Sequence, residues 1–220
     1  MQTTFPQLLL KHATERPTAA AMREKEYGIW QTITWQDMAN MVSHMACGLH
    51  QAGLKRGEHM IVVGSNRPRL YATMLAAQSL GAIPVPLYQD AVAAECVFPM
   101  TNAEVRLCVV EDQEQVDKML EVRESYPALG HIYYDDPRGL RKYDEPGLGS
   151  VDELLAAGEV FAKQHPNFYK EEVALGTKED VAAMFFTSGT TGNPKGVVHT
   201  THKRTSALVM GNTHSAATAS

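Results

Sequence analysis

Apolar residues recur along this chain with two periods that take turns. From Thr34 to Gly53 the period is helical: Met38, Met41, Val42, Met45 and Leu49 share one face, Thr34 and Asp37 make a capping-box pair, and Gly53 is the stop. The next run, His59 to Gly64, is short, apolar and β-branched between "KRGE" and "SNRP", which predicts a buried strand. Leu70 to Leu80 returns to helix and ends at Gly81. The segment "AIPVPL" has two prolines, which exclude helix and suit a strand at a sheet edge. A helical stretch from Ala93 to Asn102, broken by Pro99, leads to a strand from Arg106 to Val110. A surface helix then turns Val116, Met119, Leu120 and Val122 or Arg123 inward, and "HIYY" is extended again.

Apolar strands buried on both faces, each followed by a helix, predict an α/β fold with a parallel sheet flanked by helices. Residues 135 to 150 read as loop, "VDELLAAGEVFAKQH" as helix and "KEDVAAMFFTSG" as a last strand. The chain thus divides into an α/β portion, residues 1–180, and a strand-loop-strand unit with an Ala/Ser/Thr-rich tail, residues 181–220.

Composition narrows the class. With 220 residues, 44% of them hydrophobic and 20% charged, the chain is long enough and apolar enough to bury a core. A net charge of -5, mixed in sign, leaves no electrostatic footprint for nucleic acid or for an anionic membrane surface. Cys47, Cys96 and Cys108 are odd in number and form no CxxC pair, so reduced thiols in a cytoplasmic protein are expected. The N-terminus lacks the basic start and apolar run of a signal peptide, and no stretch of about 18 apolar residues could span a bilayer. Any membrane contact would therefore be peripheral, at the inner membrane.

The chemistry concentrates in "FFTSGTTGNPKGVVH", residues 185–199. Asn193-Pro194-Lys195-Gly196 matches a type I turn at every position, which would put Lys195 at its apex. Gly189 and Gly192 permit positive φ and close approach, so successive N–H groups can converge on an anion. Thr187, Ser188, Thr190 and Thr191 add hydroxyl donors, and a lysine ammonium is a compact charge suited to phosphate. At the carboxyl end of a strand in an open α/β sheet, such a loop reads as a nucleotide phosphate site. It is neither a Walker A loop, since Lys195 follows Pro194 and precedes Gly196, nor a GxGxxG dinucleotide loop.

"TSGTTGNPKGVV" closely resembles the phosphate-loop signature of the AMP-dependent synthetase and ligase (adenylate-forming) superfamily. The likeness extends upstream through "ITWQDMANMVSHMACGLHQAGLKRGEHMIVVGSNRPRLYATMLAAQSLGAIPVPLY" and covers roughly residues 32 to 198. Within the superfamily, "GIWQTITW", "EDQEQVDKMLEV" and "YYDDPRGLRKY" look most like bacterial long-chain fatty acyl-CoA synthetases. The resemblance implies a two-step ligase reaction: a fatty acid attacks the α-phosphate of ATP, giving an acyl-adenylate and diphosphate, and coenzyme A then displaces AMP. It also implies roles: Thr187, Ser188, Gly189, Thr190, Thr191 and Gly192 would hold the β- and γ-phosphates, Lys195 would neutralise them as an electrostatic stabiliser, and Thr187 would help hold Mg²⁺. None of these groups would be a nucleophile or general base.

The same resemblance implies what is missing. The family's acyl tunnel, adenine-binding segment, ribose-gripping aspartate and small C-terminal domain with its catalytic lysine have no counterpart in this sequence, so an N-terminal fragment, inactive alone, is expected. Two alternatives stay open: another acid-activating member (medium-chain, aryl acid or amino acid), or a non-catalytic binding module. The family's usual histidine after the loop is Thr201 here, and His199 and His202 take no role. Elsewhere plain readings apply. The carboxylate pairs Glu111-Asp112 and Asp135-Asp136 read as solvated loop residues, the methionines of the first helix as core, and Trp30 and Trp35 as packing residues.

Overall fold

The computed structural model describes residues 3–187 and 194–201. In chain order the elements are α1 (Phe5–Glu15), β1 (Ala20–Glu26), β2 (Ile29–Thr34), α2 (Trp35–Gln51), β3 (His59–Val63), α3 (Pro68–Ser79), β4 (Ile83–Leu87) and α4 (Ala93–Asn102). Then follow β5 (Leu107–Val110), α5 (Gln113–Ser125), β6 (His131–Tyr134), β7 (Leu148–Ser150), α6 (Val151–Gln164), α7 (Phe168–Ala174), β8 (Val181–Thr187) and β9 (Lys195–Thr200).

Five strands form a wholly parallel sheet in the order β4-β3-β5-β6-β7. The order reverses between β3 and β5. The crossover through α3 runs outward to β4, and the next one, through α4, returns across β3 to β5. Two right-handed crossovers in opposite directions must lie on opposite faces, and they do. Met60, Val62, Leu107 and Val109 point into the core shared with α1, α2, α3, α6 and α7. Their alternates Ile61, Val63, Cys108 and Val110 point into the core shared with α4 and α5. That period of two is why these strands read as continuous apolar runs.

Local signals account for the element ends. Thr34 caps α2 and Asp37 reaches back to it, while Met38, Val42, Met45 and Leu49 are fully buried. Gly53, at φ +94°, lets the chain leave the helix by a left-handed turn. Helices α2 and α6 cross at glycines: a Cβ on Gly158 would overlap the His44 carbonyl, and one on Gly48 would overlap the Leu154 carbonyl.

Three expectations are corrected. Helix α4 runs unbroken through Pro99, which is buried along with Ala93, Cys96 and Met100; burial there outweighs the lost hydrogen bond. The stretch from 135 to 150 contains the short strand β7, which extends the parallel sheet past β6. Strand β8 does not continue that sheet but pairs antiparallel with β9. The reason lies in the edge strand. Ile83 N–H donates inward to Glu58, so Pro84 and Pro86 face the outer edge of β4 and offer it no N–H. β8 packs beside β4 and is tied through the Gln78 side chain, whose Nε2 donates to Ala182 O at 2.6 Å.

Candidate functional site

The glycine loop is the connection of the β8–β9 hairpin. The register runs Met184↔Val198, Phe185↔Val197, Phe186↔Gly196 and Thr187↔Lys195, so the loop's first hydroxyl and its lysine stand opposite one another at the mouth. Both side chains are exposed. One face of the hairpin places Met184 and Phe186 against the second core, with Phe98 and Phe186 edge to face at 6.4 Å. That packing anchors the strands, so the two ends of the loop emerge from a fixed frame.

Of the expected phosphate-binding residues, Thr187 and Lys195 are brought together; Ser188, Gly189, Thr190, Thr191 and Gly192 lie outside the described residues. Lys195 is not at a turn apex. It is the first residue of β9, where pairing with Thr187 fixes its backbone. Nor does the loop follow a strand of the parallel sheet, because β8 belongs to a separate hairpin.

A second group of polar residues, unrecognised in the sequence, lies at the carboxyl ends of the parallel strands, at the switch point between β3 and β5. A crevice of about 700 Å³ there is lined by Arg67, Arg69, Glu111, Asp135 and Asp136, with Glu24 of β1 on the opposite wall. The Glu111 carboxylate accepts from Ser65 N–H, from Ser65 Oγ at 2.8 Å and from Arg67 Nε at 3.1 Å. Arg67 Nη1 also donates to Glu24 at 2.7 Å, Arg69 Nη1 to Asp135 at 2.8 Å and Arg69 Nη2 to Asp152 at 2.5 Å. Arg138 pairs with Asp136.

Glu111 and Asp135 are therefore not solvated loop residues. Burial pushes the Glu111 carboxyl up, but the Ser65 and Arg67 hydrogen bonds outweigh it and hold the group below its ordinary value. For Asp135 burial wins over its bond to Arg69, and its carboxyl is raised. Glu111 occupies the backbone N–H and arginine donors that a switch point offers to an anion. The crevice is thus internally satisfied and works as a brace between β3, β5, β6 and the first hairpin. Gly64, at φ +157°, permits this closeness: a Cβ there would lie 2.7 Å from Glu111 Cβ and 2.5 Å from Leu70 Cδ1. The available signal was the arginine pair "RPR" just after one strand and an acid just after each of the next two.

The five-stranded parallel sheet flanked by helices matches the N-terminal part of adenylate-forming enzymes. Structures with this fold include the anthranilate CoA ligase AuaEII in complex with anthranoyl-AMP (TM-score 0.70, 20% identity, 90% of this chain and 35% of that one). Another is acetoacetyl-CoA synthetase from Streptomyces lividans (TM-score 0.71, 18% identity, 90% of this chain and 30% of that one). The chain belongs to the AMP-binding enzyme family, whose model matches residues 9–218. Among its relatives is the long-chain-fatty-acid–CoA ligase FadD15 of Mycobacterium tuberculosis, 25% identical over 189 residues, 86% of this chain and 30% of the relative. Another is the long-chain-fatty-acid–CoA ligase ACSBG2 of Homo sapiens, 27% identical over 198 residues, 89% of this chain and 28% of the relative. The chain thus spans about 30% of the length of the curated relatives it matches.

Proposed function

We propose that this chain supplies the phosphate-facing part of a long-chain fatty acid–CoA ligase, which makes acyl-CoA, AMP and diphosphate from ATP, fatty acid and coenzyme A through an acyl-adenylate. The observation that carries this reading is the family match along residues 9–218 together with relatives named as long-chain-fatty-acid–CoA ligases.

In the first step a carboxylate oxygen attacks the α-phosphorus and the bond to the bridging oxygen of diphosphate breaks. Charge builds on that leaving group, so donors and a cation fixed in advance lower the barrier. Thr187 through Gly192 would donate to the β- and γ-phosphates. Lys195, held opposite Thr187 by strand pairing, would place its ammonium beside them. Among the described residues no three His, Cys, Asp or Glu side chains gather into a metal cage. Thr187 Oγ would help hold Mg²⁺, which would offset charge on the phosphate oxygens. With about 30% of the relatives' length, the chain alone would not complete the reaction.

The neighbours of similar fold include ligases whose names give aryl and acetoacetyl substrates, so substrate class is the point to test. The experiment is a panel of acids offered to a polypeptide that continues this chain to the length of its relatives, with AMP release read in the presence of coenzyme A. Palmitate should give the highest kcat/KM; a preference for benzoate, acetoacetate or an amino acid would replace the fatty acid assignment.

A further inference from the structure

Strand β8 reaches the parallel sheet without joining it. It packs along β4, whose outer edge carries Pro84 and Pro86 in place of donors, so no ladder of hydrogen bonds fixes how far along that edge the hairpin sits. Met184 and Phe186 pack against the second core and hold the strands close, but apolar packing is non-directional and sets no register. The directional ties lie at the base of the hairpin.

Two side chains reach that base. Arg56 Nη1 lies 3.6 Å from Asp180 Oδ2, and Asp180 O accepts from Thr201 N–H at 3.0 Å, which gathers the entry of β8 and the exit of β9. Arg56 and Asp180 are partly exposed, so water competes with their pairing. Gln78 is different. It stands in the last turn of α3, a helix anchored by buried Ala72, Thr73, Ala76 and Ala77, and its Nε2 donates to Ala182 O at 2.6 Å. The register of β8 against β9 shifts between Val181 and Ala183, so Ala182 has no partner on β9. A bulged residue's backbone groups leave the ladder, and here Gln78 takes the carbonyl. Ala182 is buried, so water does not compete for it. The other side of the same amide makes no bond: Oε1 is buried without a partner among the described residues. An apolar side chain would avoid that loss, and the one hydrogen bond that the Gln78 amide does make is to the hairpin.

We propose that Gln78 is a positioning residue for the phosphate loop: its bond to Ala182 O fixes the hairpin along β4 and thereby sets where Thr187 and Lys195 meet the phosphates of a nucleotide. Ala182 to Thr187 is about 17 Å of extended strand, so a small tilt at the tie becomes a shift of about 1 Å at the mouth. Misplacement on that scale costs up to about a hundredfold in rate. The inference rests on the reading of residues 187–195 as a phosphate loop, which is part of the function proposed above.

The test is Gln78→Met in a polypeptide that continues this chain to the length of its relatives. Methionine keeps the reach of the side chain, removes the donor and removes the orphaned oxygen with it. The thermal unfolding midpoint should be unchanged or higher than the parent's. Binding of inorganic tripolyphosphate, read by calorimetry, should weaken about tenfold, and formation of the adenylate from palmitate should slow on the order of tenfold. Transfer to coenzyme A from preformed adenylate should change little. A lower midpoint with both half-reactions falling together would make Gln78 a packing residue and overturn the proposal. Tripolyphosphate binding and adenylate formation equal to the parent's would overturn it and leave the phosphate-loop reading intact. A parent polypeptide that binds no tripolyphosphate would remove that reading and the inference with it.

Discussion

Lys195 opens β9 directly opposite Thr187, the last residue of β8, so the two ends of the glycine loop are held face to face by a strand pair. A lysine on a flexible loop would have to be ordered each time a nucleotide binds. Here the backbone ordering is already complete, and only the side chain has to settle.

Removing that ammonium should therefore act on the step in which diphosphate leaves. In a polypeptide of the relatives' length, Lys195→Ala is expected to slow acyl-adenylate formation on the order of a hundredfold, by analogy with loss of one preorganised electrostatic donor. Thiol transfer from a preformed adenylate should change little. Single-turnover kinetics of the two half-reactions reads the difference, and equal slowing would argue against a leaving-group role.

The Glu111 brace predicts a pH dependence with a definite sign. Its folded carboxyl is held below the ordinary value, so its contribution is present above the unfolded pKa of about 4.3 and is lost as pH falls through the folded one. Glu111→Gln should lower stability at neutral pH by about 1 to 3 kcal/mol, through weakened charge-assisted bonds to Ser65 and Arg67. It should also flatten the acid side of the stability profile. Urea unfolding at neutral and acidic pH reads both, and an unchanged acid limb would contradict the account.

The helix crossing at Gly48 and Gly158 leaves no room for a methyl group. Gly158→Ala, although it raises helix propensity, should lower stability by about 1 to 3 kcal/mol because α2 and α6 must separate. Thermal unfolding checks the sign; a stabilised variant would show that the crossing is looser than described.

Burial pushes the Cys47 thiol up to about 11, and raises Cys96 and Cys108 for the same reason. All three side chains are buried. Reaction with a disulfide reagent at neutral pH should be negligible in the folded chain and should reach all three thiols in denaturant, since the thiolate is the reactive form. Rapid labelling of the native chain would mean that a core opens more readily than its packing implies.

Much of the fold is legible in the sequence because its determinants are local. The capping pair Thr34–Asp37, the heptad-like run from Met38 to Leu49 and the apolar strands His59–Val63 and Leu107–Val110 each carry their own signal. What the sequence hides depends on partners far along the chain. β7 is three residues long and exists because β6 offers it an edge. β8 reads as another parallel strand, and only the prolines on β4 explain why it does not join. Glu111 and Asp135 look like loop acids until the fold brings Ser65, Arg67 and Arg69 to them from the end of another strand. Trp30, expected to pack, is exposed because alternation on β2 points it away from Ile33's core face.

The central claim is that this chain belongs to an enzyme that activates a fatty carboxylate with ATP. Palmitate-dependent exchange of labelled diphosphate into ATP tests it most directly, run on the chain itself and on a polypeptide continued to the length of its relatives. The account predicts exchange by the longer polypeptide, dependent on palmitate and on Mg²⁺, and none by the 220-residue chain. No exchange by the longer polypeptide with any carboxylic acid would contradict it, and exchange by the short chain alone would show that the catalytic site is already complete within it.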